Sequence, residues 1–252
     1  MSRSPVSGRD TAYVWIGRGD GGRPVPAGRL LRRAGATLLG WPEAQIVVGR
    51  GRDGGPRVAV RGAGGRLRLP VSVSRCGPVL AVAARPAGPV GIDVERCRPL
   101  PALALARRWY ADAEAAWLAG RPADGQVLDF LRLWTAKEAV GKALGVGLRA
   151  GGLRRRMPVP VGTDWSPPHP APGGVPVALW PVPALARLRV GHPRVGDGLV
   201  LAVAVDAARV EVVVRVEVVP DVGAAMPGGG HVAAVRSASA ERTSLPVVVR
   251  GS

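Results

Sequence analysis

Asp93 and Glu95 stand two positions apart in the segment Gly91-Ile92-Asp93-Val94-Glu95. In a strand, alternation would place both carboxylates on one face and send Ile92 and Val94 into the core. Two carboxylates held side by side repel each other, and hard oxygen ligands of this kind suit Mg2+. Taken alone, a D-x-E pattern is more often an exposed strand face of solvated acids. A second group changes the balance: Trp134, Glu138 and Lys142 fall at i, i+4 and i+8, one stripe of a helix. A surface Glu-Lys pair at that spacing contributes only about 0.3–0.5 kcal/mol. Such a pair does not explain why Trp134 shares the stripe. Nor does it explain why lysine occurs only at Lys137 and Lys142 among 35 lysines and arginines. Lysine is a compact point charge and arginine a planar fork, so the two are not interchangeable at a phosphate or proton-transfer site. Asp93, Glu95 and Glu138 together could hold one divalent ion, with Lys142 reaching a phosphate that the ion also contacts. Mg2+ held by few carboxylates completes its octahedron with water and phosphate oxygens, which describes phosphoryl-group chemistry.

Such a site needs a strand and a helix to present it. Sequence patterning predicts strands at 12–16, 46–48, 57–61, 69–74, 79–83 and 90–95. Further strands are expected at 177–180, 199–205 and 210–219. Helices are expected at 27–39, ending at Gly40, and at 103–118 and 127–144. Residues 1–10 read as a loose arm and 17–26 as a loop, while 145–176 is rich in proline and glycine. Strand and helix content recurs on each side of about residue 90. The expected fold is therefore α+β with two related halves, 1–89 and 90–220, the second carrying the metal site. Residues 221–252 have little to bury and are expected to be a disordered tail.

The chain has 252 residues and a hydrophobic content of 47%, enough for a sizeable core built from Val, Leu and Ala. A formal charge of +17 points to an anionic partner, although a GC-rich coding bias also explains much of the arginine. Cys76 and Cys97 are too few for a disulfide framework, which fits a reducing cytoplasm. No signal peptide or bilayer-spanning run is evident, so a soluble cytoplasmic monomer without a membrane partner is expected.

The two motifs, Gly-Ile-Asp-Val-Glu at 91–95 and Trp-Thr-Ala-Lys-Glu-Ala-Val-Gly-Lys at 134–142, resemble the signatures of the 4′-phosphopantetheinyl transferases. Their order and separation resemble the larger, pseudo-dimeric Sfp-type of that superfamily. Residues 105–114 are similar to the segment between the motifs, and 72–77, Ser-Val-Ser-Arg-Cys-Gly, to the stretch before them. The resemblance spans roughly 27–206 and implies two pseudo-symmetric α+β halves with coenzyme A in the cleft between them. It implies transfer of the 4′-phosphopantetheine arm of coenzyme A to a serine of an acyl or peptidyl carrier protein, releasing adenosine 3′,5′-bisphosphate. By position, Asp93, Glu95 and Glu138 would be the Mg2+ ligands and Lys142 the cation on the diphosphate. Glu138, or a water it orients, would be the base.

This chain departs from the family pattern at several points. Arg75 stands where the family has histidine, and Cys76 where it has a second serine. Arginine still binds phosphate, so Ser74 and Arg75 are expected on the coenzyme. The lysine of a family Gly-Lys-Pro turn falls on Gly55, and Arg57 is the expected substitute. Arg32 and Arg33 are candidates for the adenosine 3′-phosphate, a solvated helix face being the alternative. A Mg2+-dependent nuclease would share the acids and the basicity, but the four-residue Glu138 to Lys142 spacing on a helix counts against it. A basic nucleic-acid-binding protein would interleave aromatics with its arginines, which this sequence does not do. Nucleic acid is therefore not the expected partner. An acidic carrier protein is, because a basic enzyme surface would speed their encounter.

Overall fold

Alternating burial sorts the strands into three sheets. The computed structural model describes residues 10–19, 25–51, 54–62, 67–149, 151–160, 179–196, 198–206 and 211–218. The first sheet has the order β11-β1-β6-β5, formed by β1 (Thr11–Arg18), β5 (Val71–Cys76), β6 (Val79–Ala84) and β11 (Glu211–Val218). A second sheet, β7-β10-β9-β8, contains β7 (Val90–Arg96), β8 (Trp180–Val182), β9 (Leu185–Gly191) and β10 (Leu199–Asp206). A small third sheet joins β2 (Ile46–Arg50), β3 (Pro56–Val60) and β4 (Arg68–Leu69). All neighbours pair antiparallel except β1 and β11, which run parallel. The chain's last described strand thus returns to the sheet that holds its first.

The two four-stranded sheets enclose a common core. Val14, Ile16, Ala81 and Ala83 of the first meet Ile92, Val94, Leu201, Val203 and Val205 of the second. The alternate residues of β10, Val200, Ala202 and Ala204, face the opposite way, into a core under the helices. Both faces of β10 are covered, which is why it reads as an unbroken apolar run. On the outer face of the first sheet, α1 (Ala27–Leu39) buries Leu30, Leu31 and Ala34 against Trp15, Leu80, Val82 and the small sheet. It ends at Gly40, whose positive φ of 70° closes the last turn. The second sheet is covered by α2 (Ala102–Trp109), α3 (Asp112–Ala119) and α4 (Ala123–Ala143). None of these helices is long and apolar enough to cross a membrane.

Arg85 fastens the two sheets where their ends meet. It is buried, pairs with Asp10 through both guanidinium and carboxylate, and donates to the carbonyls of Pro89 (3.1 Å) and Asp206 (3.2 Å). A buried guanidinium is tolerated because its donors are taken up in this way.

The structure corrects the sequence reading at three elements. The helix expected at 103–118 is two helices, because Tyr110 is extended (φ −90°, ψ 172°) and its buried ring and hydroxyl are held elsewhere. The strand expected at 69–74 divides at Pro70, which has no amide to give a ladder. Strand β9 was not anticipated, although Leu188 and Val190 alternate with Arg187 and Arg189 and are buried between them. Residues 1–9 of the arm expected at 1–10, residues 177–178 of the strand expected at 177–180 and the tail expected at 221–252 lie outside the described residues, and the strand observed there is Trp180–Val182.

Candidate active site

The acidic strand and the lysine-bearing helix lie directly on each other, and glycine is the reason. A Cβ at Gly91 would fall on the backbone of α4, at the Ala139 carbonyl and the Ala143 amide. Gly91, Asp93 and Glu95 share the β7 face turned to α4, while Ile92 and Val94 enter the core between the sheets. At its C-terminus α4 folds back on itself. The amides of Val146 and Gly147 both donate to the Gly141 carbonyl at 3.0 Å, and a Cβ at Gly141 would collide with the Gly147 carbonyl. These two glycines fix how closely Lys142 approaches β7. The turn that Gly141 anchors, 145–149, lines a hollow of about 580 Å3.

The Lys142 ammonium donates to Asp93 Oδ1 at 2.7 Å and to the Ile92 carbonyl at 3.0 Å. Asp93 is buried, and its Oδ1 also accepts the Ser74 hydroxyl at 2.7 Å. Its other oxygen, Oδ2, is buried with no hydrogen-bond partner among the described residues. Burial and then the Asp93 charge raise the carboxyl of Glu95 above its ordinary value, against Arg98 and Lys142, which lower it. Glu138 is raised in the same way: burial first, then Asp93, with Lys142 opposing and Glu95 adding to the effect. The four groups therefore feel one another. Three carboxylates lie within electrostatic reach of one another, and Asp93 pairs with one ammonium.

The donor set suits a hard divalent cation: three carboxylates, one with an orphaned buried oxygen. Among the described residues, no three acidic, imidazole or thiol groups are gathered at metal-ligand distance.

The remaining expected site residues are distributed unevenly. Ser74 joins the acidic group, and its single hydroxyl proton is given to Asp93. Arg75, its exposed neighbour on β5, donates to the Val25 carbonyl at 3.0 Å, tying β5 to the entry of α1. Arg32 and Arg33 are exposed on α1, Arg33 against Glu43 at 3.3 Å, and Arg57 is exposed on β3. The structure does not unite these three arginines with the carboxylates. Trp134 leaves the stripe and stacks on Phe130, which in turn stacks on Tyr110, within the helical core.

The other lysine does something different. Lys137 is fully buried, donates to both oxygens of Glu114 (2.8 and 2.6 Å) and to the Arg155 carbonyl (2.6 Å), and lies 4.6 Å from the centre of the Tyr110 ring. Burial lowers its basicity, and the Glu114 carboxylate opposes that effect. Glu114 also accepts from the amides of Ala111 (3.1 Å) and Met157 (2.8 Å). It thereby caps α3 and holds the chain beyond α4. Sequence reasoning did not single out Glu114. The only signal for it was a second lysine one residue off the stripe, which had to have a partner somewhere.

Residues 89–164 match the family model described as the 4′-phosphopantetheinyl transferase superfamily. The chain is 34% identical over 77 residues to the 4′-phosphopantetheinyl transferase gsp of Aneurinibacillus migulanus, covering 31% of this chain and 28% of that one. It is 41% identical over 63 residues to the 4′-phosphopantetheinyl transferase psf-1 of Bacillus pumilus, covering 25% and 27%. The match thus spans under a third of the length of either relative. It is the part of the chain in which Asp93, Glu95, Glu138 and Lys142 lie, and over that segment the chain is similar to the 4′-phosphopantetheinyl transferase superfamily.

Proposed function

We propose that this protein transfers the 4′-phosphopantetheine group of coenzyme A to a serine of an acyl or peptidyl carrier protein, as an Sfp-type enzyme of two α+β halves meeting near residue 90. The observation that carries this reading is the meeting of Asp93, Glu95 and Glu138 with Lys142 inside the segment that matches the superfamily. In the reaction the serine oxygen forms a bond to the β-phosphorus of coenzyme A, and the phosphoanhydride bond breaks to release adenosine 3′,5′-bisphosphate. Glu138 takes the serine proton. Its carboxylate stands in partly desolvated, like-charged surroundings that raise its affinity for a proton, as a general base requires. Lys142, released from Asp93 Oδ1, turns its ammonium to the diphosphate and offsets charge that gathers on the leaving group.

Asp93, Glu95 and Glu138 would hold Mg2+, and its chemistry when bound is to neutralise the diphosphate. Arg75 and Arg57, with Arg32 and Arg33 on α1, are the coenzyme's phosphate ligands in this reading, and Ser74 adjoins Arg75 on β5. The carrier is acidic and meets a basic surface, and the enzyme acts as a monomer.

Incubation with coenzyme A, Mg2+ and several apo carrier proteins, followed by intact-mass measurement, tests the reading. The expected result is one phosphopantetheine adduct on a carrier serine, lost with Glu138→Gln. No adduct on any carrier, with cleavage or binding of DNA in parallel samples, would overturn it.

A further inference from the structure

β5 closes one edge of the first sheet and β7 one edge of the second, so each would leave a row of backbone groups without a ladder. On β7 that row is satisfied by side chains instead of a strand. Ser72 Oγ accepts from the Ile92 amide at 3.1 Å and Ser74 Oγ from the Val94 amide at 3.3 Å, and the Arg96 amide hydrogen-bonds to the Cys76 sulfur. Alternate residues of one strand therefore meet alternate amides of the other, with small polar side chains acting as surrogate carbonyls. The middle rung differs from its neighbours. Ser74 also donates its proton to Asp93 Oδ1, 2.7 Å away, where the Lys142 ammonium meets the same oxygen.

We propose that Ser74 is a positioning residue. Fixed by the Val94 amide in the rung between the sheets, its hydroxyl holds the Asp93 carboxylate so that Oδ1 is occupied and Oδ2 is left open to a divalent ion. This inference rests on the reading of Asp93 as a metal ligand. A residue that orients a ligand through a hydrogen bond governs ion affinity without touching the ion or the substrate. Ser72 supplies the internal comparison, since it makes the same bond across the sheets one rung away.

The test is Mn2+ binding by electron paramagnetic resonance on the full chain, together with the Mg2+ concentration that gives half-maximal transfer. Ser74→Ala should weaken Mn2+ binding by about tenfold, and raise the half-maximal Mg2+ concentration in proportion, as loss of a ligand-orienting partner does. Ser72→Ala should lower thermal stability similarly while leaving Mn2+ binding within about twofold, because it removes the rung and not the ligand's support. Should Ser74→Ala fail to fold, Ser74→Cys serves in its place. Its thiol accepts from an amide as Cys76 does but donates weakly to a carboxylate, so it should fold and still bind Mn2+ poorly. Equal Mn2+ affinity in the unaltered protein, the Ser74 variant and the Ser72 variant overturns the inference. An unaltered protein that binds no Mn2+ removes the metal reading on which it stands.

Discussion

Lys137 and Lys142 sit five positions apart on one helix and each faces a carboxylate, yet they occupy opposite kinds of site. Around Lys137 the ion pair is complete. Its ammonium has three oxygen partners and an aromatic face, and Glu114 is further satisfied by two backbone amides. Around Lys142 the account is left open. Asp93 keeps an orphaned oxygen, and Glu95 and Glu138 are raised by burial and by the charge beside them. A buried ion pair that is complete serves structure, whereas one with surplus negative charge is ready for another cation. The difference lies in the neighbours rather than in the lysines.

The contrast can be tested by removing one member at a time. The largest effect expected is on activity. Glu138→Gln and Lys142→Ala should each lower kcat/KM by about 100-fold or more, the scale of a lost base or charge stabiliser. The melting temperature of Glu138→Gln should change little, and activity surviving both changes would place the chemistry elsewhere. At the other lysine the effect should fall on stability. Lys137→Ala leaves Glu114 buried and uncompensated, and urea denaturation should show a loss of about 3–5 kcal/mol. Whatever fraction remains folded should retain near-normal turnover. A variant as stable as its parent would show that the pair contributes little.

A smaller effect separates the two sites by pH. Glu95 and Glu138 hold protons more tightly in the fold than their ordinary value of 4.5. Between that value and their raised ones the folded protein binds more protons than the unfolded chain. Without divalent ions, their contribution to stability should therefore diminish as pH rises through this window. Saturating Mg2+ should remove that dependence, and Glu138→Gln should reduce it. Melting curves over mildly acidic pH provide the measurement, and identical profiles with and without Mg2+ would contradict an open acidic site. His192 acts in the opposite direction and gives an internal check. Burial lowers its pKa to about 4 from 6.5, so the stability it lends is complete above 6.5 and is lost as pH falls towards 4. The smallest effect concerns encounter with the carrier. With a formal charge of +17, carrier modification at low substrate should slow severalfold between low and physiological salt. A rate independent of salt would argue against electrostatic docking.

Much of the site was legible because its signals are local. Alternation along 91–95 predicts that Asp93 and Glu95 share a face, and helical spacing aligns Glu138 with Lys142. Both motifs lie in elements whose periodicity is strong. Trp134 shows the limit of such reasoning, since the spacing that put it on one stripe with Glu138 and Lys142 does not reveal that its ring turns into the stack with Phe130 and Tyr110. The expected helix at 103–118 failed for a related reason. Its pattern is continuous, but the gain from burying Tyr110 against Lys137 and Phe130 outweighs one more helical turn.

By itself the sequence determined the strand and helix that carry the acids, the scarcity of lysine that marked α4, and the resemblance of the two motifs to a transferase family. Tertiary structure alone decided which lysine is sealed and which is open, because Glu114, Arg155 and Tyr110 are remote from Lys137 along the chain and meet it only when α3 packs on α4. It also decided that Gly91 is the contact letting a helix rest on a strand, and that Ser74 supports Asp93. Spacing along the chain reports which side chains share a face. Which groups share a space, and so whether a charge is answered or left over, depends on contacts between segments that spacing does not encode.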